Sequence, residues 1–503
     1  MMYGEEKSDS LIVAANLANN PQGAESVERR SGAKGNAEQP HMRRTQSRES
    51  MSQRLSRVRE AAKQRKKERF TALFHLLTAE ALENAFLSLS RKAAAGVDGV
   101  RWKDYAENLK VNIADLHRRL HQGSYRAQPG RRHYIPKADG KQRPLGIASL
   151  EDKIVQYALV KILNAVYEND FMGFSYGFRP GRSQHNALDA LATGLVRTNV
   201  NWVLDADISQ FFDKVSHEWL IRFIEHRIGD QRVIRLIRKW LTAGTSEEGE
   251  WRASEEGEWR ASEEGTPQGA VISPLLANIY LHYVFDLWAH QWRRRHATGN
   301  VVMVRYADDI VIGFDKRIDA QCFRIAMQRR LKEFGLTVHP KKTRLTEFGR
   351  FAVENRASRG KGKPETFNFL GFTHISGKDR SGRFMLIRKT RRDRMTATLK
   401  AIKDGLRKRW HYSIPEQGKW LRRVVQGYLN YHSVPGNYPM MRKFRIYVTD
   451  LWRRALRRRS QQDDTTWTKA NRLAAVWLPK VRVLHPWPVE RFTARHPRQE
   501  PGA

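Results

Sequence analysis

The sequence is nearly free of cysteine, with Cys322 as the single example among 503 residues. One thiol excludes an internal disulfide and any zinc site built from several cysteines, and we expect Cys322 to be a small buried hydrophobic residue. No apolar run reaches the length that spans a bilayer. The stretch 11–18 is too short for the apolar region of a signal peptide, and acidic residues precede it. These absences predict a cytosolic protein.

Acidic residues are also scarce, with 53 Asp and Glu against 91 Lys and Arg, which gives a formal net charge of +38. Such an excess of positive charge repels itself in a free protein and predicts a polyanionic partner. Nucleic acid is the first candidate for that partner, and an anionic membrane surface is the second. The chain is also longer than most compact domains, so we expect two or three folding units.

The stretch 301–314, VVMVRYADDIVIGF, is typical of two apolar strands joined by a tight turn. Asp308 and Asp309 lie in that turn. Burying two carboxylates beside apolar strands costs on the order of several kcal/mol for each ion, because each loses its water. A cation or a hydrogen-bond donor can compensate for this cost. A metal ion would compensate, whereas a turn exposed to water would need no compensation because Asp is common in turns.

A second apolar run, at 202–213, ends in Asp207 and leads into a helical pattern, and it also contains Asp205. Asp207 is far from Asp308 in sequence, so the two carboxylates can meet only if both strands join one sheet. Asp207, Asp308 and Asp309 on neighbouring strand ends would form a ligand set for two Mg²⁺ ions, because Mg²⁺ takes few protein carboxylates and leaves positions for water and phosphate.

Cations are concentrated in the stretch 130–146, GRRHYIPKADGKQRPLG, which has the alternation of a β-hairpin turning at 138–140. Arg131, Lys137 and Arg143 on paired strands could converge on a triphosphate, although a generic basic hairpin has the same pattern. Arg179 and Arg182 lie in GFRPGRS at 177–183, which suits either a grip on a backbone phosphate or an ordinary turn.

An octet, SEEGEWRA, is repeated within 246–265. Its period is too short for a stacking repeat protein, so we interpret it as a duplication in a surface hairpin. It is followed by a Thr-Pro-Gln-Gly turn containing Gln268 and by a helix that begins near Ser273. Further along the chain, 367–372 is predicted to be one apolar strand. Lys342, in HPKKT, could reach a phosphate or be exposed.

Four segments are predicted. Residues 1–69 are disordered and then form a basic helix, 70–375 form a mixed α/β unit, 376–461 are helical with one apolar and one basic face on each helix, and 462–503 form a basic tail with little core of its own.

The order of these motifs resembles a group II intron-encoded reverse transcriptase, or maturase, of the bacterial type. The resemblance is carried by AGVDG, IPKADGKQRPLGI, SYGFRPGRS, LDADISQFFD, GTPQGAVISPLLANIYL, YADD, HPKKT and FLGF, and it extends from about residue 70 to about residue 459. It implies an α+β right-hand polymerase, with fingers and palm in 70–375 and a helical thumb or maturase domain in 376–461. It also implies an RNA-directed DNA polymerase in the cytosol or nucleoid.

Site residues follow from this resemblance. Asp207, Asp308 and Asp309, with the backbone carbonyl of Ile208, match the metal-binding carboxylates that use two Mg²⁺ ions, while Asp205 is outside the matched set and is treated as structural or a weak helper. The residues matching the positions that contact the incoming dNTP are Arg131, Lys137, Arg143, Phe212 and Gln268, with Phe212 under the sugar. The cations assigned to nucleic-acid binding are Arg179, Arg182, Lys342, Arg391, Arg392, Arg453, Arg454 and Arg457.

The implied partners are the group II intron RNA, an RNA template with a DNA primer or a DNA target, and no membrane. Family members with a DNA endonuclease carry cysteine pairs in a C-terminal H-N-H module, so the single cysteine predicts that this module is absent. Two alternatives stay open from the sequence. One is an RNA-binding maturase acting mainly as a splicing cofactor, and the other is a domesticated reverse transcriptase of the retron, diversity-generating or CRISPR-associated kind.

Overall fold

The structure, a computed structural model, describes residues 41–136, 142–246, 264–266, 269–459 and 465–495. Predictions for residues 1–40, for the hairpin turn with Lys137, for most of the octet repeat and for Gln268 therefore concern positions outside the described residues.

Helices and short strands alternate along the chain. The helices are α1 (His41–Gln64), α2 (Ala79–Ser88), α3 (Trp102–Glu107), α4 (Leu109–Gln122), α5 (Leu150–Tyr167), α6 (Gln184–Arg197), α7 (His217–Arg227), α8 (Gln231–Thr242), α9 (Ser273–Leu281), α10 (Leu287–Arg295), α11 (Arg317–Glu333), α12 (Ala352–Ala357), α13 (Arg392–Arg407), α14 (Ile414–His432), α15 (Tyr438–Arg457), α16 (Trp467–Trp477) and α17 (Pro488–Arg495). The strands are β1 (Gly130–Pro136), β2 (Gln142–Ile147), β3 (Trp202–Asp207), β4 (Thr245–Ser246), β5 (Val301–Tyr306), β6 (Asp309–Phe314), β7 (Arg344–Glu347), β8 (Phe367–Phe369), β9 (Phe372–Lys378) and β10 (Phe384–Thr390).

The central sheet has the strand order β5-β6-β3-β7, and its pairs are antiparallel. The hairpin predicted at 301–314 is confirmed as β5 and β6. Strand β3 joins the same sheet beside β6, with Asp207 opposite Asp309 in the register. The apolar residues of these strands are buried because helices cover the sheet, which explains why the strands are almost continuously apolar in sequence.

A second sheet, β2-β1-β4, contains the basic hairpin, whose two long strands pair antiparallel as predicted. The hairpin is anchored to the rest of the protein at its base, where a side chain on Gly269 would lie 2.8 Å from the carbonyl oxygen of Gly146. Gly269 also has a φ of +113°, which favours glycine. The backbone after the predicted Thr-Pro-Gln-Gly turn therefore packs directly on β2.

The third sheet, β10-β9-β8, corrects the prediction of one strand at 367–372. Leu370 and Gly371 both have positive φ values, 43° and 78°, so the chain turns sharply there and β9 folds back on β8. The predicted domain boundary at 375/376 falls inside β9. The helical segment begins with α13, because the end of β9 and all of β10 lie in this sheet although 376–461 was predicted to be helical.

Two hydrophobic cores are formed. The larger one lies between the central sheet and its helices, and it includes the apolar residues of a short 3₁₀ turn at Phe74–Leu76 and of α2. The smaller core lies among α13, α14, α15 and α16, where Tyr428 stacks on Phe444 at 3.6 Å and the indole of Trp452 donates to Gln417 at 2.9 Å. The α+β fold class is confirmed.

The C-terminal residues, predicted to be a basic tail with little core of its own, pack into the two cores of the rest of the protein. Ala474 of α16 is buried in the smaller core, and Phe492 of α17 is buried in the larger one. Arg491 of α17 pairs with Asp189 of α6. The predicted burial of Cys322 is also wrong, since the thiol lies on an exposed position of α11. No helix in the described parts of the chain is long and apolar enough to cross a bilayer.

Candidate catalytic and nucleotide-binding site

Three carboxylates meet at one edge of the central sheet because of strand pairing. Strand β3 ends at Asp207, β6 begins at Asp309, and these two residues are opposite each other. Asp308 lies in the two-residue turn between β5 and β6. Antiparallel partners in a sheet are close neighbours, so the pairing brings together carboxylates that are distant in sequence.

The surroundings of these carboxylates disfavour their charged forms. Burial raises the pKa of Asp308, and the charge of Asp207 raises it further. Asp309 is exposed, yet the groups packed around its carboxylate remove enough water to raise its pKa to about 6, and the charges of Asp308 and Asp207 raise it further. A cluster of like charges that has lost water is stabilised by a cation.

Asp205 belongs to the same cluster, although we predicted only a structural role or weak help for it. It is two positions before Asp207, so both side chains lie on the same face of β3. Burial, Asp309 and Asp207 raise the pKa of Asp205 to about 7, while Arg391 and Arg344 act in the opposite direction. The alternation within β3 could have indicated this from the sequence.

Lys342 supplies the direct cationic partner of the cluster. Its Nζ donates to Oδ2 of Asp207 at 2.9 Å, and the lysine side chain is 61% exposed. The segment that carries Lys342 is held by the backbone, because the amide of His339 donates to the carbonyl oxygen of Asp207 at 2.7 Å. Lys342 was predicted to contact nucleic acid, and the structure places its ammonium group against the carboxylate of Asp207.

The carboxylates have the chemistry of a metal site but are not arranged as a closed one. Among the described residues, no three His, Cys, Asp or Glu side chains are arranged closely enough to hold a metal ion as they stand. The donor chemistry does fit, because clustered carboxylate oxygens with raised pKa values suit a hard divalent cation. Asp207, Asp308 and Asp309 are the residues that would hold it.

A buried network behind the turn positions these carboxylates, and we did not predict it. Arg305 and Asp286 are both 0% exposed, and the guanidinium contacts the two carboxylate oxygens at 2.7 and 2.6 Å. Arg305 also donates to Asn278 Oδ1 at 3.0 Å, to Ser175 Oγ at 2.7 Å and to the carbonyl oxygen of Ala307 at 2.9 Å. All five N–H groups of the guanidinium are therefore used.

The network joins three distant segments to the turn. Asn278 donates to the carbonyl oxygen of Gly177 at 2.7 Å. Asp286 ends a π-helical turn, His282–Asp286, that lies between α9 and α10. π-helical turns are rare and often occur at functional sites. The single arginine before YADD is the sequence signal that could have indicated the network, but its partners are distant in sequence.

The residues predicted to contact the nucleotide differ in their distance from the carboxylates and in their exposure. Arg143 is exposed on β2, and its charge lowers the pKa of Asp308, so it faces the carboxylates. Arg131 is half-buried and donates to the carbonyl oxygen of Ala95 at 3.2 and 3.0 Å, so its guanidinium is held at the base of the hairpin.

Two further predicted residues follow Asp207 in sequence. Phe212 is half-buried, in edge-to-face contact with Phe178. Ile208 is buried directly after Asp207.

Two of the predicted phosphate contacts are directed into the protein. The guanidinium of Arg179 pairs with Glu168 at 2.9 Å, with both side chains almost fully buried, and it also donates to two carbonyl oxygens. Arg182 donates to the carbonyl oxygens of Gly173 and Ser175 and lies over the ring of Tyr176. Burial lowers the pKa of Arg182 to about 10. These guanidinium groups stabilise the 173–183 loop, as expected for the ordinary turn that the sequence also allowed.

The remaining predicted cations lie on the helical segment. Arg391 pairs with Asp393 at 2.7 Å and is close enough to the cleft to lower the pKa of Asp205. Arg453 and Arg454 both pair with Asp450, at 2.9 and 2.7 Å. Arg392 and Arg457 are exposed. The basic faces of α13 and α15 are therefore open to solvent while their apolar faces form the smaller core.

Comparison with known proteins agrees with this geometry. The family described as reverse transcriptase (RNA-dependent DNA polymerase) matches residues 135–374. Protein YkfC of Escherichia coli is 41% identical over 214 residues, which cover 42% of this chain and 54% of the relative. The group II intron-encoded protein LtrA of Lactococcus lactis is 36% identical over 231 residues, covering 45% of this chain and 37% of the relative.

A longer match is found to the putative COX1/OXI3 intron 1 protein of Saccharomyces cerevisiae, which is 26% identical over 401 residues, covering 66% of this chain and 46% of the relative. The chain thus spans about half or less of the length of each of these three relatives. The matched residues include the central sheet and the carboxylates at its edge. Over residues 135–374 the chain is therefore similar to reverse transcriptases, and its relatives include a group II intron-encoded protein.

Proposed function

We propose that the protein is an RNA-directed DNA polymerase that binds a group II intron RNA, assists its splicing and copies it into cDNA. The observation that carries this proposal is the meeting of Asp207, Asp308 and Asp309 at one edge of the central sheet. Reverse transcriptases depend on divalent metal ions and use dNTPs, and we propose two Mg²⁺ ions here. The fold and the named relatives support the intron RNA as the partner.

The carboxylates have the central role in the proposed reaction. Asp207, Asp308 and Asp309, with the backbone carbonyl of Ile208, would hold the ions. When bound, Mg²⁺ makes a primer 3′-hydroxyl more acidic and neutralises charge on the phosphates of the dNTP. Asp207 and Asp309 start from fixed positions because each belongs to a hydrogen-bonded strand, so little reorganisation is needed when substrate binds.

The cations around the cleft would bind the triphosphate. Arg143 and Lys342 both lower the pKa of Asp308, so their charges act on the same small region. Phosphate oxygens attract exposed Lys and Arg side chains, and the exposed Lys342 can exchange Asp207 for a phosphate. We also propose Lys137 and Gln268 as nucleotide contacts, on the match to the family pattern. Arg131 supports the hairpin from its base by its bonds to Ala95.

The helical segment would bind nucleic acid through its exposed cations. Arg392 and Arg457 are open to solvent on helices whose opposite faces are buried. Arg391, Arg453 and Arg454 have acidic neighbours that phosphates would have to replace. An RNA template with a DNA primer, or a DNA target, would lie along this surface and reach the carboxylates. The large excess of positive charge in the whole chain supports a polyanionic partner.

The proposed activity is tested by primer extension with the purified full chain. The protein, an annealed DNA primer on an RNA template, dNTPs and Mg²⁺ should give full-length cDNA, and omission of the template should abolish the product. A parallel reaction that contains the intron RNA tests binding and splicing with the same preparation. Failure to extend any primer on RNA, by protein that binds RNA and is folded, would contradict the polymerase proposal.

Phe212→Val should increase the incorporation of ribonucleotides relative to deoxyribonucleotides. The ring of Phe212 is half-buried beside the carboxylates and is proposed to lie under the incoming sugar, where a smaller side chain would leave space for a 2′-hydroxyl. We expect the ratio of kcat/KM for dNTP to that for rNTP to fall about tenfold or more, the size of discrimination that a steric contact of 1–3 kcal/mol provides.

The neighbouring Phe211→Val variant is the control for this prediction. Phe211 is buried in the larger core, so its truncation should lower thermal stability without changing sugar selection. Equal sugar selectivity in the wild-type and Phe212→Val proteins would remove Phe212 from this role.

A further inference from the structure

Left-handed backbone conformations at residues other than glycine occur mainly near the proposed catalytic carboxylates. In the described part of the chain, four residues other than glycine have positive φ values, namely Phe178 (59°), Gln210 (47°), Ala307 (55°) and Leu370 (43°). This conformation is unfavourable for any residue with a Cβ atom and is maintained only where the surrounding structure imposes it. Gln210 lies three residues after Asp207, and Ala307 lies directly before Asp308. Both left-handed residues are therefore close in sequence to the carboxylates.

Phe178 is held in this conformation by the buried network behind the turn. A side chain on the preceding residue, Gly177, would lie 2.2 Å from the amide nitrogen of Ala307, so the two backbones are in direct contact. The carbonyl oxygen of Gly177 accepts from Asn278 at 2.7 Å, and Asn278 accepts from Arg305 at 3.0 Å. The backbone before Phe178 is thus fixed by the same groups that fix the turn.

The consequence of this conformation is an exposed ring rather than a buried one. Phe178 is 48% exposed. Its ring centroid is 6.5 Å from that of Phe212 and 6.5 Å from that of Tyr306. The ring of Phe178 thus contacts both of these rings. Since Phe178 gains little burial from its unfavourable conformation, packing alone does not explain it.

We propose that Phe178 is a binding residue whose ring contacts the sugar or base face of a nucleoside at the catalytic cleft. This inference rests on the proposed function, since a nucleotide polymerase brings such a nucleoside to the carboxylates. Aromatic side chains stack on nucleobases of any sequence because every base has a π-face. The nucleoside is that of the incoming dNTP or that of the primer terminus, and the experiment distinguishes these two sources.

The test uses Phe178→Gly in the full chain. Glycine adopts a φ of 59° without strain, so this substitution removes the ring and leaves the backbone in place. We expect either KM for dNTP or Kd for the primer–template to rise about tenfold, within the range that loss of one base-stacking ring produces. We also expect kcat to change by less than about twofold and the thermal midpoint to stay the same or rise, because the strain is released. Phe178→Tyr should retain the wild-type constants.

Leu370→Gly is the matched control. Leu370 is also a strained residue, at the turn between β8 and β9, so its replacement releases the same kind of strain. It should leave KM for dNTP and Kd for the primer–template unchanged. A generally looser protein would change these constants in both variants, whereas loss of a nucleoside contact changes them in Phe178→Gly alone.

The outcomes separate the possible contacts. A raised KM for dNTP places the ring at the incoming nucleotide, and a raised Kd for the primer–template places it at the primer terminus. If the wild-type protein synthesises cDNA and Phe178→Gly has unchanged constants, the inference is overturned and the proposed function stands. If the wild-type protein binds RNA but makes no cDNA, the proposed function fails first, and this inference fails with it.

Discussion

Replacing Asp308 by asparagine should lower RNA-templated incorporation of dNTPs about a thousandfold, which corresponds to the loss of roughly 4 kcal/mol of transition-state stabilisation. Asparagine has nearly the same shape as aspartate but lacks the negative charge that would hold a divalent ion. Binding of RNA should be nearly unchanged, because the exposed cations of the helical segment are not altered. The measurements are single-turnover primer extension and the Kd for intron RNA.

Asp315→Asn is the matched control for this substitution. Asp315 follows the opposite end of β6, where its carboxylate accepts from the Asn201 side chain at 3.2 Å, and an asparagine can still accept there. This variant should extend primers as the wild-type protein does. An Asp308→Asn protein with wild-type extension would refute the assignment of the carboxylates.

The Asp308→Asn protein also separates polymerase activity from splicing. If RNA binding by the helical segment suffices for splicing, the variant should support intron splicing at close to the wild-type rate while making almost no cDNA. Loss of splicing in a folded variant would contradict the independence of the two activities.

Arg305→Met should destabilise the protein by about 3–5 kcal/mol, because it leaves the carboxylate of Asp286 buried without its charged partner. The double variant Arg305→Met/Asp286→Leu should recover much of that stability, since replacement of both ions by apolar side chains of similar size is often neutral. Equilibrium unfolding in denaturant measures both free energies. The comparison shows how much of the loss comes from the unpaired charge.

Activity should not recover with stability in the double variant. The carbonyl oxygen of Ala307 would still lack the guanidinium that contacts it at 2.9 Å, and Asn278 and Ser175 would lack the same donor. We expect the incorporation rate to stay about tenfold to a hundredfold below wild type, the usual effect of removing a group that orients metal-binding side chains. KM for dNTP should change much less than kcat, because the turn and not the triphosphate site is disturbed.

The buried pair of Arg227 and Asp170 provides a control for this result. These side chains contact at 2.8 Å, and Arg227 also donates to carbonyl oxygens of the segment after α1, away from the carboxylates. Arg227→Met/Asp170→Leu should change stability without changing the incorporation rate of the folded protein. A wild-type rate in the Arg305→Met/Asp286→Leu protein would show that the network has no positioning role.

Much of the fold could be predicted because its signals are local. The hairpin at 301–314 and the strand before Asp207 were recognisable from short apolar runs that end in carboxylates, and the antiparallel pairs agree with them. The basic hairpin was predictable from alternation and a turn, and helix α9 from a proline in its first turn. In each case neighbouring residues in sequence determine the conformation.

The structure adds most to the sequence-based expectations where a distant partner decides the outcome. Arg179 is as basic as any exposed arginine, and only the fold places Glu168 and two carbonyl oxygens around it. Leu370 and Gly371 continue an apolar strand in sequence, but β9 turns back there to pair with β8. The residues after position 464 are rich in Pro, Trp, His and Arg, and only the fold shows that Phe492 packs into the larger core.

The sequence by itself determined the fold class and the order of motifs, and it predicted the three carboxylates, because spacing and side-chain chemistry are properties of the chain. The tertiary structure decided which charged side chains are paired inside the protein and which lie beside the three carboxylates. It placed Lys342 against Asp207, brought Asp205 into the same cluster, buried Arg305 on Asp286 and left the ring of Phe178 exposed. Each of these depends on contacts between segments far apart in sequence, and burial and pairing, which set the energy of a charge, exist only after those segments have packed.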